Sequence, residues 1–365
     1  MSGLASAPAL APPDRSLRIQ VVTPRVADTP TGNVLTATRY ARLLRALGHR
    51  VAVAERYAGE PCDVLIALHA RRSHPAIQRY ASERPGHPLI VVLTGTDLYR
   101  DILVDASAQR SLELATHLVV LQSQGLGELP ERFRAKTRVI YQSATSLQAQ
   151  VQRPTTHFRV CVAGHLRPEK DPFRTALAAR HLPAASRIRV VHVGRALLPA
   201  LGARARREEA INPRYRWLGG RPHWQTRRLV AGSHLLAITS RMEGSSNVLG
   251  EALAQAVPTP VVATRIGGLI GTLGEDYPGY FSVGDTRGLA ALLRRAETDA
   301  DYYAELAAYC ARVAALVSPE RERDAWRQLL AELAQPPAHA ADRGAAHRLG
   351  RRQPSRRGGP ALNAR

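Results

Sequence analysis

The segment Glu243–Gly268 holds the residues whose types and spacing are best suited to chemistry. It reads EGSSNVLGEALAQAVPTPVVATRIGG, with Glu243 and Glu251 separated by seven residues around a Gly-Ser turn. Backbone N–H groups at a helix start after such a turn can bind a diphosphate. Glu251 falls about one turn into that helix, where its carboxylate can accept hydrogen bonds from two ribose hydroxyls. Glu243 precedes the turn and can contact a donor sugar or orient the turn.

Each glutamate also has a simpler interpretation, in which Glu243 is a surface residue and Glu251 complements the helix dipole. The spacing of the two around a Gly-Ser turn, followed by a strand and Gly-Gly, favours a nucleotide-sugar site. The candidate donor-binding residues of this segment are Glu243, Gly244, Ser245, Ser246, Asn247, Val248 and Glu251.

A basic pair stands in Ala163–Pro172 (AGHLRPEKDP), directly after a predicted strand. Gly164 begins the turn, and Arg167 and Lys170 follow it. A guanidinium can fork onto phosphate oxygens, and an ammonium acts as a point charge. Together they can neutralise a leaving nucleoside diphosphate and so stabilise the transition state. The alternative is two ordinary surface cations, which are abundant in this chain.

Four further candidates lie at or after predicted strands in the N-terminal half. Gly32 and Asn33 stand in the strand-to-helix turn Thr31-Gly32-Asn33, His69 ends the third strand, and Asp97 follows the fourth. Ligands of open α/β sheets bind at the carboxyl ends of the strands. We therefore expect these residues at the site, with a loop histidine for His69 and a turn or N-cap residue for Asp97 as the alternatives.

The elements that must position these residues alternate between strands and helices. Strands are predicted at Leu17–Thr23, Val51–Val53, Cys62–Leu68, Pro88–Leu93, His117–Leu121, Thr137–Tyr141, Phe158–Ala163, Arg189–Val193, Tyr215–Leu218, Leu235–Thr239 and Thr259–Ala263. Helices include Val34–Leu47, Asn247–Ala256 and Glu320–Leu333. The alternation predicts α/β architecture with two doubly wound, Rossmann-like domains that face each other across a cleft.

The domain boundaries follow from composition and pattern. Both tails lack apolar periodicity and are predicted to be disordered. The predicted divisions are a tail at 1–16, an acceptor domain at 17–150, a nucleotide-sugar-binding domain at 157–317, a helix at 319–334 returning to the N-terminal domain, and an Arg-rich tail at 336–365.

Composition bounds the class of protein. The 365 residues are 45% hydrophobic without a run of about 18 apolar residues, so we expect no transmembrane helix. The N-terminus lacks the pattern of a signal peptide. Cys62, Cys161 and Cys310 are far apart in sequence, which argues against disulfides or a zinc site and fits a cytoplasmic protein.

The formal charge of +21 raises the possibility of nucleic-acid binding. Seven arginines against one aspartate fall in the C-terminal tail, and the rest of the charge is spread over the globular part. Anionic small substrates account for the surplus at least as well, so we expect no specific nucleic-acid partner.

The motifs resemble the retaining GT-B glycosyltransferases that carry an E-x7-E motif. Glu243 and Glu251 have that spacing, and Pro260–Gly268 (PVVATRIGG) matches the strand and glycine turn beside the donor. The usual EGFG reads EGSS here. The resemblance implies that Arg167 and Lys170 grip the donor diphosphate, that the turn at Gly32 faces the donor or acceptor, and that His69 and Asp97 lie near the reacting sugar.

No cofactor and no metal are expected. The sequence Asp299-Ala-Asp301 is interpreted as an acidic helix start rather than a metal-binding motif. Departure of the diphosphate without a metal agrees with the roles of the basic pair.

A narrower resemblance covers most of residues 17–334. The segments RIQVVTPRVADTPTGN, TGTDLYRD, TSRMEGSSNVLGEAL and SPERERDAWRQLL are similar to the selenosugar synthases of selenoneine biosynthesis. That resemblance implies transfer from UDP-N-acetylglucosamine or UDP-glucose to selenium of selenophosphate, giving a 1-seleno sugar, UDP and phosphate. Such an anionic acceptor needs cations near the anomeric carbon; the candidates beside His69 are Arg25, Arg71, Arg72 and Arg100.

Three alternatives stay open at this point. One is a GT-B glycosyltransferase with a hydroxyl acceptor. The second is a basic nucleic-acid-binding protein, whose binding would be sensitive to salt. The third is a sugar-nucleotide sensor without turnover.

Overall fold

The computed structural model describes residues 15–24, 32–148 and 151–334. The expectations for Arg25, for Thr31 and for most of the two tails lie outside these residues. Within them, the backbone forms two parallel sheets with helices on both faces.

The N-terminal sheet has six parallel strands in the order β2-β1-β3-β4-β5-β6. Its strands are β1 (Arg18–Val22), β2 (Arg50–Ala54), β3 (Val64–Leu68), β4 (Leu89–Leu93), β5 (His117–Val120) and β6 (Thr137–Val139). The central strands β3 and β4 read VLIAL and LIVVL and are buried at every position. Continuous apolar runs of this kind are typical of strands covered on both faces.

The C-terminal sheet also has six parallel strands, in the order β12-β11-β10-β7-β8-β9. These strands are β7 (Phe158–Ala163), β8 (Ile188–Val193), β9 (Tyr215–Trp217), β10 (Leu235–Ile238), β11 (Val261–Thr264) and β12 (Tyr280–Phe281). In each sheet the first strand of the domain lies inside the sheet, and the later strands add on both sides of it. This reversal places a crevice at the carboxyl ends of the strands.

The helices connect and cover the strands. In chain order they are α1 (Gly32–Ala46), α2 (His74–Glu83), α3 (Ile102–Val104), α4 (Ala106–Leu114), α5 (Glu131–Arg134), α6 (Arg174–Ala179), α7 (Pro199–Ile211), α8 (His223–Ala231), α9 (Asn247–Leu253), α10 (Gly267–Leu273), α11 (Thr286–Thr298), α12 (Ala300–Val313) and α13 (Pro319–Ala334). Short non-α turns occupy Asp97–Asp101, Ser123–Leu126, Pro168–Lys170 and Ala314–Val317. None of the helices in the described part of the chain is long and apolar enough to cross a membrane.

The predicted fold class, two doubly wound α/β domains, is confirmed. The predicted strands are present with ends shifted by one or two residues, and β12, with two residues, was too short to detect. The helix predicted to reach Ala256 ends at Leu253, and that prediction was wrong at its C-terminus. The Thr259 N–H bonds the Ala252 carbonyl there, which turns the chain toward β11.

The chain crosses between the domains twice. After α12 the final helix α13 packs on the N-terminal core, where Trp326, Leu329 and Leu330 are buried. The Trp326 ring meets Tyr40 of α1 edge to face, with centroids 4.7 Å apart. Where the two crossings pass each other, the Ala144 N–H donates to the Val317 carbonyl at 3.0 Å.

Candidate active site in the interdomain cleft

The two domains meet backbone to backbone at the carboxyl ends of their sheets. A Cβ atom built on Gly244, after β10, would lie 2.4 Å from the carbonyl carbon and oxygen of Thr94, after β4. Gly95 faces it with a φ of +144°, and its own Cβ would lie 3.0 Å from the Gly244 nitrogen. Only glycine at 244 permits this approach, so the turn that carries the predicted donor site touches the N-terminal domain directly.

Lys170 and Glu243 form an ion pair at this edge. The Lys170 ammonium donates to Glu243 Oε1, and the Ser240 hydroxyl donates to the same oxygen at 2.6 Å. Glu243 is 7% exposed, so its carboxylate is held rather than free in solvent. The turn before it is fixed because Thr239 Oγ1 donates to the Lys170 carbonyl at 2.9 Å. Two candidates predicted 73 residues apart are thereby brought together.

Arg167 lies beside this pair, in the turn that follows β7 and Gly164. Its Nε–H is buried and has no hydrogen-bond partner among the described residues. A buried guanidinium N–H without a partner destabilises the fold unless a ligand oxygen satisfies it. Lys170 uses one of its three N–H groups on Glu243, so both Arg167 and Lys170 have donors left for an anion at this edge.

Glu251 pairs with a residue that the sequence analysis missed. Glu251 lies on α9, is 9% exposed, and its Oε1 is 2.5 Å from Nε2 of His223. His223 begins α8, after the Gly219-Gly220-Arg221-Pro222 turn that follows β9. The turn after β9 ends at the same sheet edge as the other candidates, so the strand-end rule applied to all strands would have found His223.

The Gly-Ser turn and its helix face α1 of the N-terminal domain. The Ser246 hydroxyl is buried and has no partner among the described residues. Asn247 Oδ1 accepts from Arg39 Nη1 at 3.2 Å, and its amide nitrogen lies 3.5 Å from a Cβ built on Gly32. The predicted Gly32 and Asn247 are thus adjacent across the cleft. Val248 packs against the C-terminal core.

The remaining predicted residues of this group make fewer contacts. Asn33 is the second residue of α1 and half-buried, and Ser245 is half-buried in the turn. Neither side chain has a hydrogen-bond partner within the described ranges.

His69 is held in a tight turn at the end of β3. It has a φ of +74° and is 2% exposed. Its Nδ1 accepts from the Arg72 N–H at 3.3 Å and its Nε2 lies 3.0 Å from Thr96 Oγ1, an arrangement of a neutral ring with the proton on Nε2. Burial lowers the pKa of His69 below its ordinary value. His69 therefore reaches the cleft edge through Thr96.

Asp97 ties two strand ends together. It is fully buried, and its Oδ1 accepts from the N–H groups of Thr94 and Gly95, each at 2.9 Å. Its Oδ2 accepts from the Ala70 N–H, also at 2.9 Å. Both oxygens are therefore occupied by backbone, as in the turn-residue alternative, and Asp97 acts on the cleft by fixing the turns after β3 and β4.

Two of the predicted acceptor cations, Arg71 and Arg100, bond Asp101, another residue that the sequence analysis missed. Arg71 Nε and Arg100 Nε donate to the two Asp101 oxygens at 2.8 and 3.0 Å. Burial alone would raise the pKa of Asp101, but the hydrogen bonds and the positive charges of Arg71 and Arg100 together hold the pKa below its ordinary value. Arg72 follows Arg71 in the chain and is exposed. Asp101 could have been found from the sequence because it comes four residues after Asp97, which is about one helical turn further along the chain.

Asp299 and Asp301, the acidic pair considered as a metal-binding motif, lie at the start of α12. Asp299 caps α12, and its Oδ1 accepts from the Tyr302 N–H at 2.9 Å. In the described part of the chain, no group of three His, Cys, Asp or Glu side chains has the arrangement of a metal site.

Known proteins of similar sequence or structure show which fold this architecture belongs to. Residues 143–313 match the family model described as glycosyl transferases group 1. HepE from Anabaena, solved with UDP-glucose, is 18% identical with a TM-score of 0.67, over 87% of this chain and 99% of its own. Sucrose-phosphate synthase from Thermosynechococcus elongatus is 16% identical with a TM-score of 0.69, over 87% and 99%. The fold is GT-B.

A glycosyltransferase from Rickettsia africae is also similar, at 14% identity and a TM-score of 0.66, over 88% of this chain and 99% of its own. No curated protein sequence matches the chain. The matched segment begins at the first crossing and covers the GT-B domain that carries Gly164, Arg167, Lys170, Glu243 and Glu251.

Proposed function

We propose that this chain is a glycosyltransferase that takes its sugar from a UDP-sugar. The proposal rests on the carboxyl-end edge of the C-terminal sheet. There Arg167 has a buried N–H without a partner among the described residues, and Lys170 and Glu243 form an ion pair in the same region. Two cations at one turn suit a diphosphate, which carries acceptor oxygens only. The match to the glycosyl transferases group 1 model and the UDP-glucose bound by HepE support the same donor class.

The residues of the cleft receive roles from their contacts. Arg167 and Lys170 hold the leaving diphosphate, together with the N–H groups of the 244–248 turn and the unpartnered Ser246 hydroxyl. Glu251 accepts from the ribose hydroxyls, and His223 orients its carboxylate. Glu243, held by Ser240 and Lys170, faces the sugar.

For the acceptor we propose selenophosphate. The support is the resemblance to selenosugar synthases and the pair of Arg71 and Arg100 on Asp101, which offers guanidinium groups to a small anion. The exposed Arg72, next to Arg71 in the chain, is the third candidate. In the transfer, the C1–O bond to UDP breaks and a C1–Se bond forms. Water then cleaves the Se–P bond, which yields a 1-seleno sugar and phosphate. Because selenophosphate is already an anionic nucleophile, the step needs no strong general base.

In the N-terminal domain, His69 with Thr96 and Asp97 shape the acceptor side of the cleft rather than exchange protons. The turn at Gly32 and Asn33 faces the donor from the opposite side. We place the activity in the cytoplasm because Cys62, Cys161 and Cys310 are all buried free thiols.

The test is UDP release by the purified protein from UDP-N-acetylglucosamine or UDP-glucose, with and without selenophosphate. The expected result is selenophosphate-dependent UDP release and a product with the mass of a 1-seleno sugar. Orthophosphate in place of selenophosphate is the matched control, since it has the charge without the selenium. UDP release that depends instead on an added alcohol or sugar would replace the acceptor and keep the donor. Absence of saturable UDP binding would refute the donor as well.

A further inference from the structure

Arg39 connects three parts of the chain at the edge of the cleft. It lies on α1 with its side chain 11% exposed, and its Nε is 3.0 Å from Glu322 Oε2 of α13. Its Nη1 donates to Asn247 Oδ1, the first residue of α9, at 3.2 Å. Through this one guanidinium, the N-terminal helix α1 is bonded both to α13 and to the start of α9, beside the proposed donor site.

The carboxylate behind Arg39 is itself fixed. Glu322 is 1% exposed, and its Oε2 accepts from both the N–H and the hydroxyl of Ser143, in the segment where the chain crosses between domains. A carboxylate with this many donors keeps its position. It bonds the Arg39 guanidinium, whose Nη1 in turn bonds Asn247.

Arg39 is poorly explained as packing alone. Its Nη2 is buried without a partner among the described residues, which destabilises the fold. A purely structural ion pair with Glu322 would be met as well by a shorter cation. The guanidinium fork is needed only because a second acceptor, Asn247 Oδ1, lies on the other domain.

We infer that Arg39 is a positioning residue: through Asn247 it holds the 244–247 turn in place across the cleft, and α13 supplies the carboxylate that keeps it there. This inference rests on the proposed role of that turn in binding the donor. It assigns the C-terminal helix a part in the reaction, although α13 contributes no side chain to the donor site itself.

The first measurement needs no ligand. Arg39→Lys keeps the charge for Glu322 but cannot also bond Asn247, and Arg42→Lys on an exposed position of the same helix is the matched control. Hydrogen–deuterium exchange of the peptide covering 244–253 is expected to be about 10-fold faster in Arg39→Lys and unchanged in Arg42→Lys. Unchanged exchange in Arg39→Lys would overturn the inference.

The second measurement separates positioning from stability. Arg39→Lys is expected to lower kcat/KM for the UDP-sugar by about 10-fold, and in an Asn247→Ala background the same change is expected to have little further effect. Additive losses would show that Arg39 acts through the general fold, which overturns the inference. If exchange rises as expected while the unaltered protein binds no UDP, the positioning by Arg39 stands and the proposed donor falls.

Discussion

Replacement of Gly271 by alanine is expected to oppose the contact between the two domains. Gly271 lies in α10 of the C-terminal domain and packs on Gln122 of the N-terminal domain. An alanine Cβ there would lie 1.8 Å from Gln122 Oε1, 2.7 Å from Cδ and 2.9 Å from Cβ. Rotation of the amide cannot clear the last overlap, because the Gln122 Cβ is attached to the backbone.

The size of the effect follows from the contacts that Gln122 must lose to make room for the added Cβ. Rotating Gln122 would break its bonds to Tyr99 Oη at 2.9 Å and to the Gly125 N–H at 3.2 Å. Overpacked contacts of this kind cost about 1–3 kcal/mol, which is roughly 5- to 150-fold in the population of a two-state equilibrium. Alanine also raises helix propensity by about 1 kcal/mol relative to glycine, so α10 itself should not unfold.

The assay is kcat/KM for UDP release, with thermal unfolding measured in parallel. Gly271→Ala is expected to lower kcat/KM within that range without a matching loss of thermal stability. Gly250→Ala is the matched control, because it is a helical glycine of the same domain whose added Cβ would meet nothing nearer than 3.7 Å. Gln122→Ala removes the two worst overlaps and should partly restore the activity of Gly271→Ala.

Equal losses in the Gly271 and Gly250 variants would refute this reasoning, because only one of them creates an overlap. So would a Gln122→Ala change that restores nothing. Either result would mean that the contact of α10 with the N-terminal domain is not needed for turnover.

Three further predictions concern substitutions of two carboxylates and one lysine. Glu251→Gln is expected to weaken UDP binding by about 10-fold or more, measured by calorimetry, with 2′-deoxy-UDP affected less; wild-type affinity in the variant would remove the ribose role. Lys170→Met is expected to lower kcat about 100-fold at a temperature where thermal unfolding shows the variant to be folded, since it removes charge from the leaving diphosphate. The pKa of Asp101 is lowered in the fold, so its contribution to stability is present above about pH 4 and is lost as the pH falls through the lowered pKa. Unfolding temperatures from pH 6 to pH 2 should therefore fall less steeply in Asp101→Asn, and parallel curves would contradict this.

The fold was predictable because its strands are short apolar runs covered on both faces, and the alternation with helices leaves few arrangements. The edge strand β12 was not predicted because two residues are too few to show a hydrophobic pattern. The end of α9 was misplaced because the Thr259 N–H that caps it comes from outside the helix. That contact depends on the tertiary course of the chain, which a local pattern does not contain.

The site was predictable only as a set of strand ends. Position after a strand placed Glu243 and Lys170 at the edge of one sheet and Asp97 at the edge of the other, but it did not give their partners. The Lys170–Glu243 bond joins residues 73 positions apart, and the Asn247–Arg39 bond joins residues 208 apart in different domains. Such pairs are set by how the domains meet, and a single sequence records no trace of that.

The same limit explains why the sequence analysis named Asp97 and missed Asp101. Both belong to TGTDLYRD, and both are buried carboxylates. Asp97 receives three backbone N–H groups and so builds the turns. Asp101 receives two guanidinium groups and so gathers cations at the cleft. Because three backbone N–H groups already bond the Asp97 carboxylate, we assign the cations of the proposed acceptor side to Asp101, which follows the turn, rather than to Asp97, which forms it.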